Sequence, residues 1–402
     1  MRRTLSTLMS ALAVAALTGG PAPTAHADPT EPSIHRTGQP RQPTGVGVLA
    51  LDWGNLDHTP RAGAGDYVVV QAWEYPRIPA LKAANPSLRV LMYKDGAASV
   101  ATAHETGLYS TGVSYGEAAI RHPDWFLTDP SGRRLEWSDW AGLYPMNVAD
   151  RGYQVAWAAN VLAELRAHDW DGVMVDDTLT YLSHSTVGSR TSTQIPTDEA
   201  MRRATGSFLS HVGPRIKNAG YQVVPNVTVE WNTWRTTLTS WTRYVSGWEN
   251  EYFTKWGLTT QSRFQGADWR WKYAMARWCA RRNKPLLAIT YSNRSDRAAQ
   301  IYHRATWLLS WNGRTGASIF VPAEATADHW QPRSVSRIGT PAGPTRRTRA
   351  GVYVRRYSRG LVLVNPSGTA RRTTLRAGYR THAGTAVSSV KVGARSATIL
   401  RR

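Results

Sequence analysis

Two adjacent carboxylates, Asp176 and Asp177, close the apolar run "WDGVMVDDT", Trp170 to Thr178. Acids at the end of a buried strand cost folding free energy unless something uses them. Three uses are open: binding a metal, holding a substrate hydroxyl, or acid–base and nucleophilic chemistry. A metal needs converging histidines or further carboxylates. The eleven histidines show no zinc spacing, and neither HExxH nor DxDxDG occurs, so no metal or other cofactor is expected. Glycoside cleavage needs two carboxylates flanking one bond. "SGWENEYF", Ser246 to Phe253, supplies Glu249 and Glu251. They are two residues apart, so both point the same way along a strand, and Glu251 lies nearer its C-terminal end. Asp176 and Asp177 are adjacent and point to opposite faces. Asp176 is read as the one doing chemistry, and Asp177 as a helix cap or an acceptor behind it.

Such acids need a scaffold that gathers strand ends. Eight short apolar runs recur: Gly45–Trp53, Tyr67–Glu74, Arg89–Asp95, Gly172–Asp177, Tyr221–Thr228, Tyr244–Phe253, Pro285–Ser292 and Gly316–Ala323. Most are continuous rather than alternating, as strands buried on both faces require. Helical patterns lie between them. Asp150 can cap a helix carrying Trp157, Val161 and Leu165, and Gly220 ends another where a C-cap glycine belongs. The pattern predicts an α/β fold, a (β/α)8 TIM barrel, followed by a small C-terminal all-β domain.

In such a barrel function gathers at the C-terminal strand ends. Those ends offer Asp52, Trp53, Trp73, Glu74, Tyr93, Lys94 and Asp95, then Asp176, Asp177, Asn226, Glu249, Glu251, Tyr291 and Asn293. Trp53, Trp73 and Trp137 are candidate cleft aromatics, able to stack on sugar faces. Asp52, Glu74 and Tyr291 are candidate substrate contacts. Asn226 and Tyr93 are read as holding sugar hydroxyls or orienting Asp176, and Lys94 as a cation that keeps Asp176 ionised. Trp157 and Trp278, inside helix patterns, are read as core. From Gly96 to Asp150 the chain makes a long excursion with a strand–turn–strand pattern around Asp129-Pro130-Ser131-Gly132.

The flanks differ from the barrel. Arg2 and Arg3, the apolar "LMSALAVAALTGG" and "AHA" at Ala25–Ala27 read as a signal peptide, residues 1–27. A secreted, extracellular chain starting at Asp28 is expected, with no membrane span. Residues 28–44 form a linker, 45–330 the barrel, 331–344 a second linker, and 345–402 a basic β-rich domain. The formal charge is +21, and Pro341 to Arg402 holds fourteen Arg or Lys with no Asp or Glu. That balance suits an anionic cell-wall polymer. Only seven of the 49 basic residues are lysine, a skew that a GC-rich bacterial genome also produces. Cys279 is the single cysteine, so no internal disulfide can form.

Four segments together resemble a known family: "GDYVVVQAWEYPRIPALKAANPSLRVLMYKD", "HPDWFLTDPSGRRLEW", "WDGVMVDDT" and "SGWENEYFTKWG". Their order and spacing are similar to the hypothetical glycosyl-hydrolase-like family 15, TIM-barrel proteins related to the α-galactosidase and polygalactosaminidase superfamily. The resemblance covers about Gly45 to Ala323 and leaves out the basic tail. It implies a retaining glycoside hydrolase acting on a poly- or oligosaccharide, with α-linked galacto-configured sugars among the candidates. It implies a nucleophile at Asp176 and an acid/base glutamate that falls best on Glu251, with Glu249 the alternative. A monomer is expected. Two other classes compete: a non-catalytic carbohydrate- or cell-wall-binding barrel, and a polyanion binder dominated by its tail. "GVSYG", Gly112 to Gly116, fits a serine-hydrolase elbow but lacks the preceding strand that motif needs.

Overall fold

A computed structural model describes residues 42–51, 65–138, 140–181, 191–255, 257, 262–323 and 338–402. The signal peptide, residues 28–41, Asp52 and Trp53 lie outside the described residues. The chain runs β1 (Gly47–Ala50), β2 (Tyr67–Val70), α1 (Ile78–Ala84), β3 (Arg89–Asp95), β4 (Ala98–Val100), α2 (Tyr115–Arg121), β5 (Leu143–Pro145) and α3 (Arg151–Ala167). It continues through β6 (Gly172–Thr178), α4 (Asp198–Asn218), β7 (Gln222–Val227), α5 (Trp234–Trp241), β8 (Trp248–Asn250), α6 (Gly266–Arg281), β9 (Leu286–Ser292), α7 (Arg297–Leu308) and β10 (Ala317–Pro322).

Eight of these strands form one parallel sheet in the order β1-β2-β3-β6-β7-β8-β9-β10. A parallel bridge between Val46 and Ser318 joins its two edges, so the sheet closes as the predicted barrel. Alternation along each strand divides the apolar residues between two layers. Leu49, Val69, Leu91, Met174, Val224, Ile289 and Ile319 fill the interior. Val48, Val68, Val90, Val173 and Val223 face outward into a second core with the helices. There Trp157, Val161 and Leu165 of α3 are fully buried, as their four-residue spacing predicts. Asp150 caps α3 by accepting the Tyr153 N–H at 2.9 Å. Gly220, φ 93°, follows the end of α4, in a left-handed conformation that glycine adopts without strain. Two predicted strands are shorter than read. β2 stops at Val70 and a 3-10 turn, Ala72–Arg77, follows, while β8 has only three residues.

The excursion before α3 has its own packing. β4 and β5 pair antiparallel, and Asp129 Oδ1 accepts the Ser131 and Arg133 N–H groups to make the predicted turn. The tail forms a separate antiparallel sheet, β11 (Arg346–Arg347), β12 (Tyr353–Tyr357), β13 (Gly360–Asn365), β14 (Arg371–Arg380), β15 (Ala386–Val392) and β16 (Ser396–Arg401). Ile338 is buried and Pro341 bridges Tyr357, so the chain joins this sheet before β11. The sheet caps α7: Arg355 donates to the Leu308 and Trp311 carbonyls at 2.8 and 2.6 Å, and Tyr357 to Leu308 at 2.7 Å. These satisfy carbonyls that a helix end leaves unpaired. Among the described residues no helix is long and apolar enough to cross a membrane.

Arg304 of α7 holds the barrel seam. Fully buried, it donates to the backbone carbonyls of Thr44 and Gly45 and to Ser318 Oγ. Removing it takes away the donor to the Thr44 carbonyl and leaves the Gly45 carbonyl only the Ser318 N–H and hydroxyl, where β1 meets β10. Arg304→Ala should lower the unfolding free energy by about 3 kcal/mol or more. A fall in the urea midpoint at unchanged m-value would show it; an unchanged midpoint would remove Arg304 from the seam.

Candidate active site

β6 and β3 bring their carboxylates together in register, Asp95 opposite Asp176. Asp176 follows Met174 on the inward face of β6. Its carboxylate takes three donors from three places. Tyr93 OH of β3 donates to Oδ2 at 2.8 Å, Asn226 Nδ2 of β7 to Oδ1 at 2.8 Å, and the Asp177 N–H also to Oδ1 at 2.8 Å. Three donors hold the side chain in one orientation. Burial pushes the Tyr93 phenol well above its ordinary range, and the Asp176 charge adds to that, so the phenol keeps its proton and donates.

Asp177 departs from regular alternation. Its φ is 49°, a left-handed conformation, and the β6–β7 register shifts between Val175 and Thr178. The shift turns the Asp177 carboxyl onto the Asp95 carboxyl, to which it is hydrogen-bonded. Asp95 Oδ1 also accepts the Ala97 and Ala98 N–H groups at 2.7 and 2.9 Å. Burial raises both acids and the Asp176 charge adds to both; Asp95 further raises Asp177, whereas the hydrogen bond from Asp177 and the two N–H groups lower Asp95.

The two glutamates of the β8 segment differ in setting. Glu249 pairs in register with Asn226 and Leu287, which places it in the barrel interior. It is fully buried, and neither carboxyl oxygen has a hydrogen-bond partner among the described residues. Burial pushes it well above the carboxylate range, helped by the charges of Glu251 and Asp176. Glu251 lies just past the strand, half-buried, and accepts a hydrogen bond from Tyr291 OH. Tyr252, φ 50°, is raised by burial and by the charges of Glu251 and Asp176. Behind them Lys272 of α6 donates to Asn250 Oδ1 at 2.5 Å and to the Glu251 carbonyl at 3.0 Å, and burial pushes it down to about 7. Sequence reasoning missed Lys272. The available signal was a lysine on the buried stripe Trp269, Lys272, Ala276 and Cys279, where solvated lysines do not belong.

Other predicted residues fall elsewhere. Lys94 points away from Asp176, a correction: its neighbours in alternation face inward, so it faces outward. It is buried against α3, donating to Glu164 Oε1 at 2.7 Å and to the Tyr109 carbonyl at 2.6 Å. Trp137 is also corrected: it is buried in the core beneath the excursion rather than lining a cleft. Trp73 and Glu74 sit in the 3-10 turn after β2. Trp73 stacks on His104 at 4.3 Å, and Glu74 pairs with Arg77 at 3.3 Å. Trp157 and Trp278 are core, as expected. Among the described residues, no group of three or more His, Cys, Asp or Glu is arranged to hold a metal ion.

A closed parallel barrel with carboxylates gathered where β3, β6 and β8 end defines a TIM-barrel glycoside hydrolase. Residues 82–361 match the hypothetical glycosyl hydrolase family 15, and the chain belongs to that family. The match runs beyond the barrel into β12 and the first residues of β13, further than the sequence motifs reached. The glycoside hydrolase domain of PelA from Pseudomonas aeruginosa is similar in fold, with TM-score 0.47 and 15% identity over 71% of this chain and 96% of that one. Ega3 of Aspergillus fumigatus, in complex with galactosamine, gives 0.46 and 12% over 73% and 97%. An Anoxybacillus α-amylase gives 0.49 and 8% over 90% and 99%. No curated sequence matches the chain.

Glu249 generates a pH dependence. With its folded value raised, the native state keeps a proton that the unfolded chain releases above the ordinary carboxylate range. Stability therefore falls as pH rises from that range towards the folded value. Glu249→Gln removes this contribution. Its stability relative to wild type should rise as pH increases above the ordinary carboxylate range in urea unfolding; a constant difference would mean that Glu249 does not hold its proton.

Proposed function

We propose that this hydrolase cleaves O-glycosidic bonds of a poly- or oligosaccharide with retention, Asp176 acting as nucleophile and Glu251 as acid/base. The observation that carries the reading is convergence. Glu249, Tyr252 and Asp177 are each pushed upward by the charges of both Asp176 and Glu251, which supports the two carboxyls lying at the same end of the barrel. Asp176, oriented by Tyr93, Asn226 and the Asp177 N–H, attacks the anomeric carbon. Glu251, oriented by Tyr291, gives its proton to the leaving oxygen. In the second step Glu251 takes a proton from water, whose oxygen displaces Asp176. Glu249 is sealed beneath and cannot reach a sugar, which favours Glu251 over it.

Asp176→Asn should lower kcat by roughly four orders of magnitude or more while glycan binding persists. Azide should restore turnover to Asp176→Gly and give a glycosyl azide of inverted configuration. A panel of polysaccharides screened for reducing ends identifies the substrate. Wild-type binding without turnover on every glycan would favour the non-catalytic reading.

We further propose that the chain is exported and that its tail sheet holds an anionic cell-wall polymer. Twelve of the fourteen tail cations are exposed. Arg372 stands directly opposite Lys391, and Arg380 opposite Arg401. Like charges facing each other across strands destabilise a sheet, so folding alone gives no reason for them. The full chain should leave the cell beginning at Asp28 by mass spectrometry and should bind teichoic acid with a steep loss on adding salt. Replacing Arg372, Arg376, Arg380 and Lys391 by Gln should weaken binding and flatten that salt dependence. Unchanged binding would discard the tail's role.

A further inference from the structure

We infer that Asp177 is a positioning residue for Asp176: hydrogen-bonded to Asp95, it locks a left-handed turn that delivers its own N–H to the nucleophile. The inference rests on the assignment of Asp176 above. A regular strand would send the Asp177 side chain to the opposite face and its N–H into the ladder. Instead the register slips after Val175, φ at Asp177 is 49°, and the N–H meets Asp176 Oδ1 at 2.8 Å. A left-handed residue other than glycine costs about 1–2 kcal/mol, so something must hold it. The carboxyl contact with Asp95 is that hold.

Asp95 is itself immobile. Its Oδ1 takes the Ala97 and Ala98 N–H groups, and its carbonyl accepts Trp157 Nε1 at 2.9 Å. The Gly96 N–H donates to the Asp176 carbonyl at 3.1 Å, which ties the same corner to β6. Two adjacent buried carboxyls cannot both ionise, so one proton stays between them, with Asp177 donating and Asp95 accepting. The other titratable groups around the pair oppose its ionisation or are neutral: Asp176 on β6, Glu251 after β8, and the phenols of Tyr93, Tyr153 and Tyr181. Loss of the shared proton would put two like charges in contact and open the turn.

The test uses the full chain, with residue 177 labelled by 15N. In wild type its amide should show a high protection factor against hydrogen exchange, falling as pH rises and the pair ionises. Asp177→Asn, which tolerates the left-handed turn and donates to Asp95 without titrating, should keep that protection at all pH values. Asp177→Gly, which keeps the turn's backbone freedom without the side-chain bond, should lose it. On a dinitrophenyl glycoside, Asp177→Gly should lower kcat by about 10-fold or more with KM little changed, and Asp177→Asn should restore it. Equal protection in all three proteins overturns the inference. So does a kcat of the Gly variant equal to wild type. If the wild-type protein turns over no glycoside, the amide protection still decides the positioning, and only the catalytic assignment fails.

Discussion

A closed parallel ring imposes one rule on this molecule: alternate residues of every strand must face the axis. The interior is filled by Leu, Val, Met and Ile layers, so any polar group placed inward is confined by neighbours on all sides. Inward residues near the C-terminal ends thereby become a site. Asp176, Asn226 and Glu249 occupy neighbouring inward positions on β6, β7 and β8, and Tyr93 reaches them from β3. The ring exists only because β1 and β10 meet, and there the registry depends on few contacts. Arg304 supplies the donors that make this edge-to-edge junction stable.

Two departures from the rule fall beside the proposed catalytic carboxyls. Asp177 and Tyr252 both adopt positive φ, one at the end of β6 and the other just after β8. Each lies beside one of the two carboxyls read as reacting. Backbone held in a sparsely populated region persists only where surrounding contacts over-determine it. Asp95 does this for Asp177, and Lys272 with Asn250 does it for the Glu251 segment. The site is thus supported by buried acids and a buried lysine that never face the mouth, and their cost is carried by the packed core around them.

The tail sheet links to the barrel through hydrogen bonds to the C-terminal end of α7, the helix that also carries Arg304. Arg355 is therefore committed to helix carbonyls, unlike the exposed cations around it. That one helix thus supports both the seam and the tail.

Much was legible in the sequence because it depends on local pattern. Continuous apolar runs separated by helical spacing predict buried parallel strands. Asp150 as a cap, Gly220 as a stop and Trp157 as core follow from the same local rules. What depended on contacts between distant segments was not legible. Lys94 reads as a cation at a strand end, yet alternation sends it outward, where Glu164, seventy residues on, pairs with it. Trp137 reads as a cleft aromatic, yet the excursion packs it into the outer core that joins the strands to the helices. The bond between Asp95 and Asp177 needs a register slip that no local propensity encodes. The sequence determined which residues could carry charge at strand ends; only the closed tertiary ring decided which of them meet, which are sealed and which stay partly exposed, because burial and pairing are set by neighbours far away in the chain.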